Sequence, residues 1–286
     1  MNVNNSPQPY VDIITPVRNG APFISDYLFS LRSQTYPSWR AILVDDNSTD
    51  NSFSILTAEV AGDSRFILVS LPDHVVHHPG PAFARNYALS LSSAPLISFH
   101  DIDDLWHPDR LSLQVAYHIS SKLDLSTSSY CRFSESIYQS DINLVRPPSS
   151  VNPYSLLHFN PIPMLTVLVS SSLIKYPFPD IPHEDYAFWI LNILRHKKIS
   201  FGSLPLALAF YRVHSSNTSG KHFLLPFWVF NVFRHVGYSP FLSAFLLIRF
   251  LILHAFMHFL RYFRRSRLES SVIQQMEQRP HLLTPS

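Results

Sequence analysis

The chain has 286 residues, with 22 basic and 20 acidic side chains and a formal net charge of +2. This length accommodates one large α/β domain with an extension, and the near balance of charge argues against a nucleic-acid partner held through its phosphates. The single cysteine, Cys131, excludes an internal disulfide framework and indicates a reducing compartment; we expect it to be a small buried side chain.

Strand-like and helix-like segments alternate through the first hundred residues. Residues 10–15 have the apolar run of a buried strand, Pro16 interrupts it, and the segment from Pro22 has helical apolar spacing with proline in its first turn. Further strands are predicted at 39–44, 66–69 and 96–99, with helices at 53–60 and 80–91. The alternation predicts an α/β fold with a mainly parallel sheet, helices on both faces and ligands at the carboxyl ends of the strands.

The pattern weakens in the second half of the chain. Residues 126–163 form a Ser- and Pro-rich stretch without a sustained period, which we interpret as the variable, acceptor-facing half of the domain. A helix is predicted at 184–195 and a strand at 206–211. Beyond residue 222 the composition becomes apolar and then basic, so we divide the chain into one domain at 1–222 and a C-terminal helical segment at 223–286.

An acidic cluster, His-Asp-Ile-Asp-Asp at 100–104, follows the strand predicted at 96–99. Three carboxylates this close repel one another unless a cation or hydrogen-bond donors compensate them. The cluster therefore indicates a site for a hard metal ion, Mn²⁺ or Mg²⁺. The alternative is a solvated, helix-capping acidic loop before Pro108.

Several segments in sequence carry a family resemblance: VDIITPVRNG, ILVDDNSTDNS, GPAFARNYAL and SFHDIDDLWHPDRL, followed by HEDYAFWILNILR and PLALAFYRVHSSNTS. In order and separation they resemble the motifs of glycosyltransferase family 2, in particular those of bacterial O-antigen and capsule enzymes. The resemblance extends over about 215 residues. It implies the Rossmann-like GT-A fold, a metal-dependent catalytic domain at 1–222 and inversion at the anomeric carbon.

The resemblance also implies which residues bind the nucleotide-sugar donor. This set is Thr15, Pro16, Asp46, Gly80, Arg85, Asn86, Asp101, Arg212 and His214. Asp46 would accept a hydrogen bond from the uracil base, although the Asp-Asp-Asn run at 45–47, taken alone, is more typical of a turn with a helix N-cap. His214 has the alternative of a satisfied histidine at a strand end. His77 and His78, where the family has small or polar residues, are interpreted as loop residues.

The remaining implied roles are those of the metal and the base. Asp103, with Asp104 nearby, would hold Mn²⁺ or Mg²⁺ against the donor diphosphate. Asp185 is the candidate general base, with Glu184 beside it, and would take the proton of the acceptor hydroxyl. Without the resemblance, an acidic pair in a first helical turn would be interpreted as compensation of the helix dipole.

The C-terminal segment bears on the membrane. Residues 240–260 are long and apolar enough to cross a bilayer, but Arg249, His254 and His258 count against a crossing. Crossing would also place the arginines at 261–267 outside, against the positive-inside tendency. We predict a surface-lying or re-entrant helical pair that turns at 237–240, with a dimerisation helix as the alternative. Arg249 lies off the basic stripe and has no explanation in the sequence.

The sequence thus predicts transfer of a sugar from a nucleotide-sugar, expected to be a UDP-sugar, to a hydroxyl of a saccharide or lipid-linked acceptor in surface-polysaccharide synthesis. The polar N-terminus lacks the pattern of a secretory signal, so we expect a cytoplasmic enzyme at the inner face of the cell membrane. A nucleotidyltransferase is less favoured because the loop after the first strand is not Gly-rich. A catalytically silent scaffold is disfavoured because all the required carboxylates are present.

Overall fold

The computed structural model describes residues 10–72, 80–134, 143–196, 198–214 and 224–263, with side chains through residue 256. Its strands are β1 Val11–Val17, β2 Trp39–Asp45, β3 Phe66–Ser70, β4 Leu96–Phe99, β5 Leu105–Trp106, β6 Leu125–Phe133, β7 Asn143–Val145, β8 Leu168–Ser170 and β9 Phe201–Arg212. The α-helices are α1 Ile24–Arg32, α2 Ser52–Glu59, α3 Ala82–Leu91, α4 Arg110–Ser120, α5 Glu184–Ile193, α6 Leu225–His235 and α7 Pro240–Phe263. Short 3₁₀ helices occupy Ala21–Phe23, Pro153–Leu157, Met164–Thr166 and Ser171–Leu173.

The strands form one mixed sheet in the order β3-β2-β1-β4-β8-β6-β9-β5, with β7 paired to β6. The first four strands in this order are parallel, as are β6 and β9. Strand β8 runs antiparallel to both β4 and β6, and β5 runs antiparallel to β9. The expectation of a mainly parallel sheet therefore holds only for the half built from helical crossovers, and the second half makes the sheet mixed.

Helices cover both faces of the sheet, as predicted. Alternate residues of β1 point to opposite faces. Val11, Ile13 and Val17 pack with apolar side chains of α1, α2 and α4, whereas Ile14 packs with α3, α5, α6 and α7. The two cores explain why the strands of the first half have nearly continuous apolar sequences.

Strand β6 lies in the stretch that we interpreted as irregular. Its sequence, LSTSSYCRF, is rich in hydroxyl side chains, yet residues 126–129 are almost fully buried. The Gln114 side chain donates to the carbonyl and hydroxyl oxygens of Ser126, and the Ser126 hydroxyl also contacts the His118 ring. Hydrogen bonds inside the core thus satisfy the polar groups of Ser126, which hydropathy patterns do not detect. Cys131 is buried in β6, as expected.

The C-terminal segment forms the predicted helical pair, α6 and α7. The chain turns between them at Gly237, whose φ of 106° is a conformation that favours glycine. The inner faces of both helices join the core through Val229, Phe233, Leu246 and Phe250. Among the described helices, none combines the length and hydropathy needed to span a bilayer. The association of α6 and α7 with a membrane is therefore not confirmed by the fold.

A buried ion pair fixes the start of the sheet. Arg40 on β2 donates two hydrogen bonds of 2.9 Å to the carboxylate of Asp12 on β1. The Ser92 hydroxyl and the Ser93 and Ala94 amides donate to the same carboxylate. Burial by itself would raise the pKa of Asp12, but the hydrogen bonds from Arg40, Ser92 and Ser93 outweigh it and lower that pKa.

We expect Asp12→Ala to lower the free energy of unfolding at pH 7 by about 3 kcal/mol, because it removes one partner of a buried pair. The folded-state pKa of Asp12 lies below its ordinary value of 3.8, so its stabilisation is present above that pH and is lost as the pH falls through the folded value. Urea denaturation of both proteins from pH 7 to pH 3 should show the difference shrinking toward acid.

The matched control is Asp63→Ala. Arg65 engages Asp63 with the same two-bond geometry, at 2.9 and 2.8 Å, but the pair lies at the surface. Its loss should cost less than about 1 kcal/mol. Equal costs for the two variants would contradict the role given to the Asp12 pair.

Candidate functional site

The acidic loop at 101–104 lies at the carboxyl end of β4, next to the end of β1. The His100 amide donates to the Ile14 carbonyl, so the loop begins where the parallel pairing ends. The buried His100 ring stacks on Trp106, with ring centres 4.1 Å apart, and its Nε2 lies 3.1 Å from the Asp104 carbonyl. Burial, together with the charge of Arg110, holds the pKa of His100 well below its ordinary value. A neutral imidazole thus supports the loop from the core side.

The three carboxylates of the loop have separate partners. Asp101 accepts a 2.7 Å hydrogen bond from Arg85, and the Asp103 Oδ2 lies 2.9 Å from the His214 Nε2. Asp104 is buried and accepts from the Arg212 amide at 3.0 Å. Asp104 is buried, the Asp103 side chain is 23% exposed, and α4 begins after Asp109, so neither carboxylate caps that helix.

Burial shifts the titration of this loop. It raises the pKa of Asp103, with the charge of Asp101 adding to the rise and the His214 hydrogen bond opposing it. It also raises the pKa of Asp104 well above its ordinary value, with the charges of Asp103 and Asp101 acting in the same direction. The loop therefore favours a positive charge beside Asp103.

The residues present fit a hard divalent cation at Asp103. Within the described ranges, no group of three or more His, Cys, Asp or Glu side chains could hold a metal ion. Mg²⁺-type sites, however, commonly use one or two carboxylates together with substrate phosphates rather than a closed protein cage. Asp103, with His214 beside it, matches such a half-site. Asp104 points into the core, which makes it less suited to the metal-binding role implied by the resemblance.

The end of β9 closes the site from the other side. The Arg212 Nε donates to the Asp103 carbonyl at 2.9 Å, and its Nη2 donates to Asp26 at 2.7 Å. The Arg212 guanidinium lies over the Phe23 ring, on which His214 also stacks at 5.2 Å. Phe23 and Asp26 were not among the sequence candidates. The only sequence signal for them is their position in the first helical turns after the TPVRNG loop.

Thr15, Pro16 and Asp46 meet at the ends of β1 and β2. Thr15 is buried, and its hydroxyl lies 2.6 Å from the Tyr27 hydroxyl. Asp46 directly follows β2, where its amide donates to the Val17 carbonyl and its carboxylate contacts Arg18 at 3.2 Å. The turn that follows uses the neighbouring carboxylate of Asp45, and α2 starts only at residue 52. Asp46 therefore does not serve as a helix N-cap.

Arg85 and Asn86 on α3 have protein partners. The buried Arg85 donates to Asp101 at 2.7 Å and to Glu184 at 2.8 Å. The Asn86 side chain donates to the Phe178 carbonyl and accepts from the Phe178 amide. These two side chains therefore connect α3 to the acidic loop, to Glu184 and to Phe178. Their direct contact with the donor stays a prediction.

Gly80 lies just before α3 and has no protein atom near the position of a Cβ. Among the described residues, the space around Gly80 is therefore open. Its contact with the donor stays a prediction. His77 and His78 fall outside the described residues.

Glu184 and Asp185 occupy the first turn of α5. The preceding His183 has a left-handed backbone, with φ 60° and ψ 40°, which is uncommon for a residue other than glycine. Burial raises the pKa of Glu184 to about 7, against the opposing charge of Arg85. The Asp185 Oδ2 accepts a 3.1 Å hydrogen bond from Asn160, another residue that the sequence analysis missed. Glu184 and Asp185 thus have different side-chain partners. Compensation of the helix dipole alone would not require these partners.

Comparison with known proteins identifies the family of the chain. The family described as "Glycosyl transferase family 2" matches residues 12–150. An uncharacterized glycosyltransferase of Haemophilus influenzae is 31% identical over 89% of this chain and 98% of its own length. The Escherichia coli UDP-Glc:alpha-D-GlcNAc-diphosphoundecaprenol beta-1,3-glucosyltransferase WfaP is 31% identical over 79% of this chain and 86% of its own.

A solved structure shares the fold. The mannosyltransferase PcManGT from Pyrobaculum calidifontis, in complex with GDP-Man and Mn²⁺, has a TM-score of 0.60 at 19% identity, covering 96% of this chain and 81% of that one. The mixed sheet, the clustered carboxylates after β4 and the long matches to glycosyltransferases lead to one assignment. The chain belongs to glycosyl transferase family 2 and has the GT-A fold.

Proposed function

We propose that the protein transfers a sugar from a UDP-sugar to a hydroxyl of a saccharide or lipid-linked acceptor, with inversion at the anomeric carbon, in the synthesis of a surface polysaccharide. The observation that carries the proposal is the bridge from Asp101 through Arg85 to Glu184. Through this bridge, one arginine contacts both the acidic loop, which we assign to the donor, and the first turn of α5, which we assign to the acceptor. The name of the relative WfaP supports the class of donor and acceptor.

The chain's own residues have distinct tasks in this reaction. Asp103, with His214, would hold Mn²⁺ or Mg²⁺, which neutralises charge that develops on the departing diphosphate. Arg212, held between Asp26 and the Asp103 carbonyl, adds fixed positive charge on the same side. Asp185 takes the proton of the acceptor hydroxyl from the opposite side, which is the geometry of a single in-line displacement.

Two observations weigh against the other functions considered. Arg85 binds Glu184, so the two neighbouring carboxylates of α5 have different surroundings. A catalytically silent scaffold would not require such a difference. The amides of the loop after β1 are engaged by serines that follow β2, since the Gly20 amide donates to Ser52 and the Asn19 amide to Ser48. Such a loop leaves those amides unable to cradle a triphosphate as a nucleotidyltransferase would require.

The first test of the proposed function concerns the metal site. Asp103→Ala should weaken Mn²⁺-dependent binding of UDP at least about tenfold, because the carboxylate that faces the cation is lost. Calorimetric titration of UDP with and without Mn²⁺ measures this, and UDP affinity in the absence of metal should stay within about twofold. Unchanged affinity with Mn²⁺ in the folded variant would remove Asp103 from the metal site.

The second prediction concerns the base. Asp185→Asn should lower sugar transfer by about 10²–10⁴-fold, because the amide keeps the shape but cannot accept the proton. Affinity for the UDP-sugar should hardly change. Glu184→Gln is the control, since it keeps a hydrogen-bond acceptor for Arg85 and should cost less transfer. A larger defect in Glu184→Gln than in Asp185→Asn, with both variants folded and binding donor, would assign the base to Glu184.

The C-terminal pair supports a place at the inner face of the membrane. Phe241, Phe245, Ile248, Ile252 and Phe256 recur every three to four residues along α7 and are all exposed, so they form one outward apolar stripe. No acidic residue occurs from position 241 to 268, and the sequence beyond α7 is rich in arginine. An apolar stripe followed by cationic residues is typical of helices that lie in an anionic lipid surface.

Arg249, unexplained at the sequence level, lies 3.1 Å from the His158 ring and near Phe245. Its exposed side chain thus reaches from Phe245, a residue of the stripe, to His158 in the catalytic domain.

The third prediction tests this surface. The double variant Phe245→Ser, Ile248→Ser should bind anionic vesicles at least about tenfold more weakly, because two exposed apolar side chains no longer enter the lipid. Sedimentation with phosphatidylglycerol vesicles measures the loss. Leu113→Ser with Ile119→Ser, which removes exposed apolar residues from α4, is the matched control and should leave vesicle binding unchanged. A stable dimer that the α7 variant dissociates, with no vesicle binding by the native protein, would contradict the membrane assignment.

A further inference from the structure

Asn160 lies in the connection between the 3₁₀ helices Pro153–Leu157 and Met164–Thr166, opposite the first turn of α5. Its Nδ2 donates to the Asp185 Oδ2 at 3.1 Å, and its Oδ1 accepts from the Ile162 amide at 3.2 Å. Only the NH₂ end of the amide can donate to a carboxylate, and only the oxygen can accept from a backbone N–H. The two bonds therefore fix which way the Asn160 side chain points.

The backbone that carries Asn160 is itself held in place. Pro161 and Pro163 restrict the chain on either side of Ile162, which is fully buried. The Tyr186 hydroxyl donates to the Leu156 carbonyl, so the residue next to Asp185 binds the same segment. Asn160 is consequently presented to Asp185 from a fixed position rather than from an unsupported loop.

The two neighbouring carboxylates of α5 differ in the kind of partner that holds them. Glu184 is bound by the full positive charge of Arg85, whereas Asp185 is bound by a neutral amide. A neutral donor orients one carboxylate oxygen without placing an opposite charge against it. Among the hydrogen bonds of the described residues, the second oxygen of Asp185, Oδ1, has none.

We propose that Asn160 is a positioning residue for the transfer reaction: by holding the Asp185 Oδ2, it directs the Oδ1 toward the acceptor hydroxyl. The inference rests on the proposed function, in which Asp185 is the base. Asn160 acts through Asp185 and need not touch either substrate. Its effect should therefore fall on the turnover of transfer and not on donor binding.

The test is a double-mutant cycle of Asn160→Ala and Asp185→Asn. It uses the UDP-sugar and the synthetic lipid-linked saccharide acceptor that give the highest turnover in a screen of the native enzyme. Asn160→Ala should lower kcat about 10- to 100-fold, because a misplaced base loses its alignment, while the KM for the UDP-sugar stays within about twofold. In the Asp185→Asn background the same change should cost less than about twofold, because no base remains to be positioned.

The matched control is Asn152→Ala. Asn152, which precedes the 3₁₀ helix Pro153–Leu157, also accepts from a backbone amide, that of Tyr154, but it makes no hydrogen bond to Asp185. It should lose no more than about twofold in kcat. An equal loss from Asn160→Ala in both backgrounds, or a comparable loss in Asn152→Ala, would show a merely structural role and overturn the inference.

A second variant covers a failure of Asn160→Ala to fold. Asn160→Asp keeps the shape and places a like charge against Asp185, so the acidic limb of the pH profile of kcat/KM should move to higher pH. An unmoved limb would overturn the inference. Full transfer activity in Asp185→Asn would instead remove the proposed base itself, an outcome distinct from the failure of Asn160 alone.

Discussion

The bridge made by Arg85 is the interaction on which the arrangement of the site depends. A guanidinium buried in α3 is costly unless it is paired, and here Asp101 and Glu184 engage it from two sides. The planar fork of arginine presents donors to two carboxylates in a fixed geometry, whereas the lysine ammonium is a compact charge on a flexible stem. The distance between the loop after β4 and the start of α5 is thereby set by one rigid group. Under the proposed function, donor and acceptor chemistry would share this spacing.

Helix α5 connects that bridge to the C-terminal helices. Its first turn carries Glu184 and Asp185, while Tyr186 in the same turn packs against Phe233 of α6 and Phe250 of α7. The helix that we propose to lie on lipid therefore rests on the helix that we propose to carry the base. A lipid-linked acceptor arriving along the bilayer would meet the acceptor side of the site without leaving the surface. The packing thus relates the orientation of the enzyme on a membrane to the direction of acceptor entry.

The sequence predicts the first half of the fold well, because β1 to β4 and their helices have strong apolar patterns and the motifs lie at strand ends. It fails at β6, where a polar side chain such as that of Ser126 is buried through hydrogen bonds that only the tertiary structure supplies. The partners of Arg85 are 16 and 99 residues away, and Asn160 is 25 residues from Asp185. No local period reports such pairings, so the motifs identify the carboxylates but not what holds each one.

The acidic loop shows why the partners matter as much as the motif. Asp101 is compensated by a guanidinium, and Asp104 by a backbone amide deep in the core. Both partners keep the same charge over the whole physiological range of pH, so neither carboxylate changes its compensation there. Asp103 faces an imidazole, which is a common metal ligand as well as a hydrogen-bond partner. Of the three carboxylates, Asp103 is therefore the one whose side-chain partner could share a divalent cation with it.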